Sequence, residues 1–335
     1  MAAVRQTIPV TQVEYEKGKS VFEAATREGL DCVCVPPDEP SLASAVKKHK
    51  ARAAIIGVDP YRNALYDALP KGGIIARFGV GVDGVDRKRA TARGILVANT
   101  PGALSDTVAE YAVWLMGSLA RHVAKAHEGM RRHRWQASVG VELQGKKLAV
   151  LGCGEIGRRV ARIASEGLRM NVVGYDVADI PADVLREWGF SSFTKDLAGA
   201  LAGARFVSLH IPSLPETRHF LNARTVALIP RDAFLVNTAR GAIIDEVALY
   251  DALASGALAG AALDVFENEP YVPVRPEKDL RTIENVLLTC HMASGSEEAC
   301  IRMAERSLAN VRAALERRYG DCAVVNRDVL TGLEK

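Results

Sequence analysis

The chain has 335 residues, more than one compact core usually holds, so two domains are expected. Its 43 basic and 40 acidic residues leave a formal net charge of +3, and no basic stripe interleaved with aromatics occurs, which argues against a nucleic-acid partner. The opening stretch MAAVRQTIPVTQVEYEKGKS lacks the apolar run of a signal peptide or membrane span, and the six cysteines form no CxxC pair; a reducing, cytoplasmic setting is expected, with no disulfide framework, metal or membrane partner.

In the first third, AAIIGV (53–58), GIIARFG (73–79) and GILVANT (94–100) read as short buried strands. GVGVDG (79–84) follows the second of them. It has the GxGxxG pattern, but the next segment is short and charged, and the following strand ends in Asn99 rather than an acid. It reads equally as a turn requiring positive φ and as a small anion site made of N–H groups in a Gly-rich turn. SDTVAEYAVWLMGSLARHVAKAHEGMRRH (105–133) predicts one long helix, with Ser105 as its cap and Asp106 in its first turn. The basic run from Arg131 to Trp135 reads as a solvated helix end.

Strand patterns then recur from residue 147 to 290 as KLAVLG, NVVGYD, FVSLHIP, AFLVNTA, GAALDVF and NVLLTC. Between them lie helix-period segments such as EIGRRVARIASEGL and DEVALYDALASGAL, an alternation that predicts an α/β fold with parallel strands. SEEACIRMAERSLANVRAALERR (296–318) predicts a last helix, with acids in its first turn and bases near its end. The two long helices would suit passages out of and back into one domain. That reading gives a substrate domain of 1–103 with 299–335 and a dinucleotide domain of 104–298. A loose similarity between ALPKGGIIARFGVGVDGVD (68–86) and ALIPRDAFLVNTARGAIIDE (227–246) hints at related halves.

The second glycine loop, GCGEIG (152–157), has the context the first one lacks. It follows a strand, opens a helix, and is followed about twenty residues later by a strand ending in Asp176. Gly152 would allow the tight turn, Gly154 the approach of a pyrophosphate, and Gly157 the close packing of helix on strand. The helix N-terminus would offer N–H groups and positive dipole to the phosphates. Asp176 would accept the ribose hydroxyls and repel a 2′-phosphate, and Val177 and Ala178 follow it instead of arginine; NAD is therefore expected over NADP.

Near the end of the strand series, LLTCHMAS (287–294) places His291 just beyond a strand. Taken alone, it fits a metal ligand beside Cys290, a core residue, or an acid–base group; adjacent residues of a strand point to opposite faces, which weakens the metal reading. Arg240, after AFLVNTA, fits a surface ion pair or a planar clamp for a carboxylate.

The ordered series GCGEIG, GYD, LHIPSLPETRHFLN, LVNTARGAIIDE, ALDVFENEP and LLTCHMAS, with RFGVGVDGVD and NTPGALSDTVAEYA before it, resembles the D-isomer-specific 2-hydroxyacid dehydrogenases. The resemblance covers nearly the whole chain. It implies two Rossmann-like, doubly wound parallel-sheet domains with a cleft between them, and an NAD(H)-dependent interconversion of a 2-oxo acid and a D-2-hydroxy acid. It also implies a homodimer formed through the NAD domain, with SDTVAEYAVWLMGSLARHV in the interface. His291 would be the acid–base, Glu269 the carboxylate on its other ring nitrogen, and Arg240 the substrate clamp. Glu267 is the rival partner, but the family pattern sets the acid directly before Pro270. The N–H groups of Val80 and Gly81 would meet the substrate carboxylate. Glu155, Ile156, His210, Pro212, Thr217, Thr238, Ala239 and Asp264 would line the cofactor, although Asp264 also fits a cap for the following turn and LHIP a bland turn after a strand.

The chain departs from the family at Cys290, where proline is common, and in a longer stretch after Pro270, from which Tyr271 or Arg275 would bear on substrate choice if it is more than a surface loop. Arg62 is a further candidate for a second anionic group. Two other readings stay open: an NAD(H)-responsive corepressor-like binding protein and a phosphite dehydrogenase. A formate dehydrogenase would be expected to pair the histidine with Gln, and no regulatory domain is expected beyond the returning helix.

Overall fold

The computed structural model describes residues 5–333. The chain divides into two compact units, Met1–Leu104 with Gly295–Lys335, and Ser105–Ser294. The return falls at Gly295 rather than at 299, because Ser296 caps the returning helix Glu297–Leu315 by accepting the Ala299 N–H. Each long helix thus belongs to the unit it enters.

In the first unit, strands β1 (Gln6–Thr11), β2 (Leu30–Val35), β3 (Ala53–Ile56), β4 (Ile74–Arg77) and β5 (Leu96–Ala98) form a parallel sheet of order β2-β1-β3-β4-β5. The last three are buried along their whole length, as strands covered on both faces must be. The returning helix packs on this sheet. Beyond it, Val325 donates to the Val97 carbonyl while the Asn326 amide meets both Val97 N–H and the Ile95 carbonyl, so the end of the chain closes the β5 edge.

In the second unit, β6 (Lys147–Leu151), β7 (Asn171–Tyr175), β8 (Ser192–Thr194), β9 (Phe206–Leu209), β10 (Phe234–Asn237), β11 (Gly260–Leu263) and β12 (Val286–Leu288) form a seven-stranded parallel sheet of order β12-β11-β10-β9-β6-β7-β8. Chain order reverses between β6 and β9, and such a switch point opens a crevice beyond the strands' carboxyl ends. The two segments noted for similarity feed β4 and β10, each two places from the first strand of its sheet. Both use the same turn: Gly73 N–H meets Pro70 O and Ala233 N–H meets Pro230 O, each at 2.9 Å.

The single helix expected over 105–133 is instead two. Ser105–Ala120 buries Ala109, Ala112, Leu115, Met116 and Leu119, where each fully buried Leu or Met contributes roughly 1.5–3 kcal/mol. His122 then takes a left-handed φ of 54°, and the helix Val123–Arg131 buries none of its residues. The buried apolar face ends at Ala120, so no apolar burial among the described residues holds the helix in one line past that point. Among the described residues, no helix is long and apolar enough to cross a membrane.

Candidate active site

The glycine loop leaves β6 at the switch point. Gly152 has φ 97°, and a Cβ at Gly157 would lie 2.0 Å from the Gly152 carbonyl oxygen, so both positions require glycine. Space around Gly154 is open, and Glu155 and Ile156 begin the helix Glu155–Arg162. Asp176, past β7, accepts the N–H groups of Cys153 at 2.8 Å and Ala178 at 3.0 Å. At the end of β10, Thr238 Oγ1 is buried with no hydrogen-bond partner among the described residues. An open backbone cradle, a carboxylate beside it and an orphaned hydroxyl suit a dinucleotide.

Past β9, His210 Nε2 lies 2.8 Å from Ser208 Oγ, and burial pushes its pKa down to about 3, so this imidazole stays neutral. Thr217 Oγ1 donates to the Pro212 carbonyl at 2.7 Å and accepts the Leu214 N–H, which fixes the turn after LHIP. Past β10, the Asn237 amide accepts the Ala239 N–H at 3.0 Å and donates to the Arg240 carbonyl at 2.9 Å, fixing the turn that carries Thr238, Ala239 and Arg240.

His291 lies three residues beyond β12, with φ 51°. A left-handed non-glycine costs roughly 1–3 kcal/mol and needs surroundings that hold it. Asp264 supplies them. Its carbonyl accepts the His291 N–H at 2.8 Å, and its fully buried carboxylate accepts the Thr289 hydroxyl and the Met292 and Ala293 N–H groups. With these bonds Asp264 caps the turn that carries His291.

His291 Nδ1 stands 2.6 Å from Glu269 Oε2, and Glu269 Oε1 accepts the Phe266 N–H at 2.9 Å. Burial opposes ionisation of Glu269, but the His291 hydrogen bond and charge, the Phe266 N–H and the Arg240 charge together hold its pKa below the usual carboxylate value. Glu267, two residues earlier, instead meets His219 Nε2 at 2.8 Å and Arg218 at 3.2 Å. Arg240, Glu269, His291 and the glycine loop all lie in the second unit.

Val80 and Gly81 belong to the first unit, past β4, where the Val80 carbonyl accepts from the Asn99 amide at 2.8 Å. Arg62, also in that unit, donates to the Asp83 carbonyl at 3.1 Å. Tyr271 packs on Phe266 at 4.7 Å between ring centroids and accepts the Leu280 N–H, and Arg275 is exposed. Cys290 is an exposed thiol, and among the described residues no group of three or more His, Cys, Asp or Glu is placed to hold a metal ion. Two residues of this region have no part in the sequence reading: His219 and Glu246, whose side chains join Glu267.

Residues 113–293 match the family model for the NAD-binding domain of D-isomer specific 2-hydroxyacid dehydrogenases. The chain is 37% identical to a glyoxylate reductase of Korarchaeum cryptofilum over 308 residues, 90% of each chain. The chain belongs to the D-isomer-specific 2-hydroxyacid dehydrogenases. It is also 40% identical to a hydroxypyruvate reductase of Thermotoga maritima over 228 residues, 68% of this chain and 72% of the relative. Among solved structures, an NADPH-dependent glyoxylate/hydroxypyruvate reductase of Sinorhizobium meliloti, in complex with NADP and malonate, superposes with a TM-score of 0.79 at 30% identity, covering 93% of this chain and 94% of that one. The dehydrogenase is thus an NAD(P)-dependent enzyme that interconverts 2-oxo and 2-hydroxy acids.

Proposed function

We propose that the enzyme reduces glyoxylate or hydroxypyruvate with NADH, using His291 as proton donor, Glu269 as its carboxylate partner and Arg240 as the clamp on the substrate carboxylate. The observation that carries this reading is the 2.6 Å contact of His291 Nδ1 with Glu269 Oε2. It occupies one ring nitrogen and leaves Nε2 to give a proton to the carbonyl oxygen. The chemistry that a dinucleotide supplies when bound is hydride donation to the carbonyl carbon. The guanidinium of Arg240 presents a planar fork that matches a carboxylate and turns the carbonyl toward the histidine.

Two features support NADH over NADPH. The Asp176 carboxylate stands at the glycine loop on the Cys153 N–H, and the residues after it are Val177 and Ala178. A homodimer is supported by large apolar residues left exposed between 114 and 139, among them Trp114, Met130, Trp135 and Val139. Free thiols at all six cysteines support a reducing, cytoplasmic setting.

The test is to follow oxidation of NADH and NADPH with glyoxylate, hydroxypyruvate, pyruvate, phenylpyruvate and 3-phosphohydroxypyruvate. The expected result is that glyoxylate or hydroxypyruvate gives the highest kcat/KM and that NADH is used more efficiently than NADPH. Turnover of none of them by protein that binds NADH would overturn the substrate reading, and a preference for NADPH would overturn the role given to Asp176.

A further inference from the structure

The loop that carries Glu269 is held from behind by polar side chains that the proposed chemistry leaves unused. Gly241 follows Arg240, and a Cβ there would lie 1.8 Å from the Phe266 carbonyl carbon and 2.5 Å from the Glu267 nitrogen. The backbone of the Arg240 loop therefore rests directly on the backbone of the Glu269 loop, with room for glycine alone. A lateral tie also joins these two backbones.

Glu246 provides that tie. It opens the helix Glu246–Ala254, where the Asp245 side chain caps the N–H groups of Val247 and Ala248. With the cap supplied by its neighbour, Glu246 turns inward and is 6% exposed. Its Oε1 accepts the Glu267 N–H at 2.5 Å, and its own N–H donates to Glu267 Oε1 at 3.2 Å. These reciprocal bonds join the two loops side by side. Glu267 Oε2 is anchored in turn by His219 Nε2 and Arg218. The backbone of that segment is stitched to the far side of the Arg240 loop, with His219 N–H on Ala242 O and Leu221 N–H on Ile243 O.

We propose that Glu246 is a positioning residue for oxo-acid reduction: with Glu267 and His219 it locks the Arg240 loop to the Glu269 loop, so that the substrate clamp and the partner of His291 keep one spacing. The inference rests on the roles given above to Arg240, Glu269 and His291.

The charge state of the cluster agrees with it. Glu246 Oε2 is buried without a hydrogen-bond partner among the described residues. Burial pushes the Glu246 carboxyl up to about 7; the Glu267 N–H works the other way, and the charges of Glu267 and Glu269 push it up further. Tyr271 lies near the same carboxyl, and His219 and Arg218 meet Glu267 beside it. In its protonated form, favoured below about pH 7, the carboxyl keeps its acceptor for the Glu267 N–H without adding a third negative charge beside Glu267 and Glu269.

The experiment compares Glu246→Gln, which keeps the acceptor, with Glu246→Met, which keeps the volume and loses it. For the best 2-oxo acid of the panel, Glu246→Met should lower kcat about 10–100-fold, the usual range for residues that hold catalytic groups in place, with NADH affinity unchanged. Glu246→Gln should recover most of that loss. A purely structural role would lower Tm in Glu246→Met and leave kcat at wild type below the melting range, which overturns the proposal. If Glu246→Met does not fold, His219→Leu decides: it removes the outer anchor of Glu267, and wild-type kcat in it overturns the proposal.

A second readout needs no turnover. The low-field ring N–H proton of the His291–Glu269 pair, assigned by its loss in His291→Gln, should shift or broaden in Glu246→Met and stay in place in Glu246→Gln. An unchanged resonance in Glu246→Met overturns the proposal. A wild-type enzyme that turns over no 2-oxo acid would sink the proposed function, while this resonance would still decide the role of Glu246.

Discussion

One short loop carries the carboxylates of two histidine–carboxylate pairs with different surroundings. Glu269 faces His291, and their side chains are 31% and 29% exposed; Glu267 faces His219, and its side chain is 9% exposed. Both side chains of the first pair are part-exposed, as the proposed proton exchange with a substrate requires. The second has its carboxylate buried, one oxygen shared by His219 and Arg218 and the other accepting the Glu246 N–H. In the proposed reading, the same pair of residue types serves contact with substrate in one place and fixation of the loop two residues away. Burial and the number of donors on each carboxylate distinguish the two roles; residue type does not.

The comparison is broken most directly at the histidines. His291→Gln should lower kcat for oxo-acid reduction by about 10²–10⁴-fold, the usual contribution of a positioned acid–base group, with NADH binding retained. His219→Gln should cost about tenfold, because its effect reaches the site through the Glu267 loop. Steady-state kinetics on both variants decide the matter. Equal losses would mean that the second pair also touches the reaction.

The carboxylates should follow with smaller effects. Glu269→Gln leaves the His291 ring without its charged partner and should lower kcat about 10–100-fold. Glu267→Gln keeps an acceptor for the Glu246 N–H and should lower it by less than Glu269→Gln does. A loss in Glu267→Gln larger than that in Glu269→Gln would reverse the assignment of the two pairs.

Most strands of both sheets are legible in the amino-acid sequence. Strands β3 to β5, β6, β7 and β9 to β12 stand out as short apolar runs between glycines and polar turns. Strands β1 and β2 do not: QTIPVT contains Pro9, which has no N–H for a ladder, and the apolar run of LDCVCV is interrupted by Asp31. The observed pairing fits that composition, since β1 pairs with β2 along its length but with β3 through Val10 alone. Strand β8, the three residues SFT, is half-exposed at a sheet edge and too short to show a period.

At the site, the position of Glu269 directly before Pro270 separates it from Glu267. Glu246 carries no such mark. An acid in the first turn of a helix is an ordinary partner of the helix dipole, and only the inward turn of its side chain, made possible by Asp245, makes it something else. His219 is hidden in the same way, within a stretch that reads as a turn after LHIP. Its role depends on a left-handed backbone with φ 51° that aims the ring at Glu267.

Stability against pH gives the smallest and cleanest separation of Glu269 from Glu246, the carboxyl tied to the Glu267 backbone, because their signs are opposite. Glu269 is held below its ordinary pKa, so its contribution is present above the unfolded value of 4.5 and is lost as pH falls through the lower folded value. Glu246 is raised from 4.5 to about 7, so its contribution is full below 4.5 and is lost as pH rises through about 7. At about 1.4 kcal/mol per pH unit, that window corresponds to on the order of 3 kcal/mol at most. Glu246→Gln does not titrate and should escape this loss, so its Tm should rise relative to wild type as pH increases from about 5 to about 8, by a few degrees. Thermal melts of both proteins across that range measure the difference directly. A Tm difference that stays constant with pH would mean that Glu246 keeps the same charge state throughout; the loops would then be joined by its hydrogen bonds alone, with no contribution from its titration.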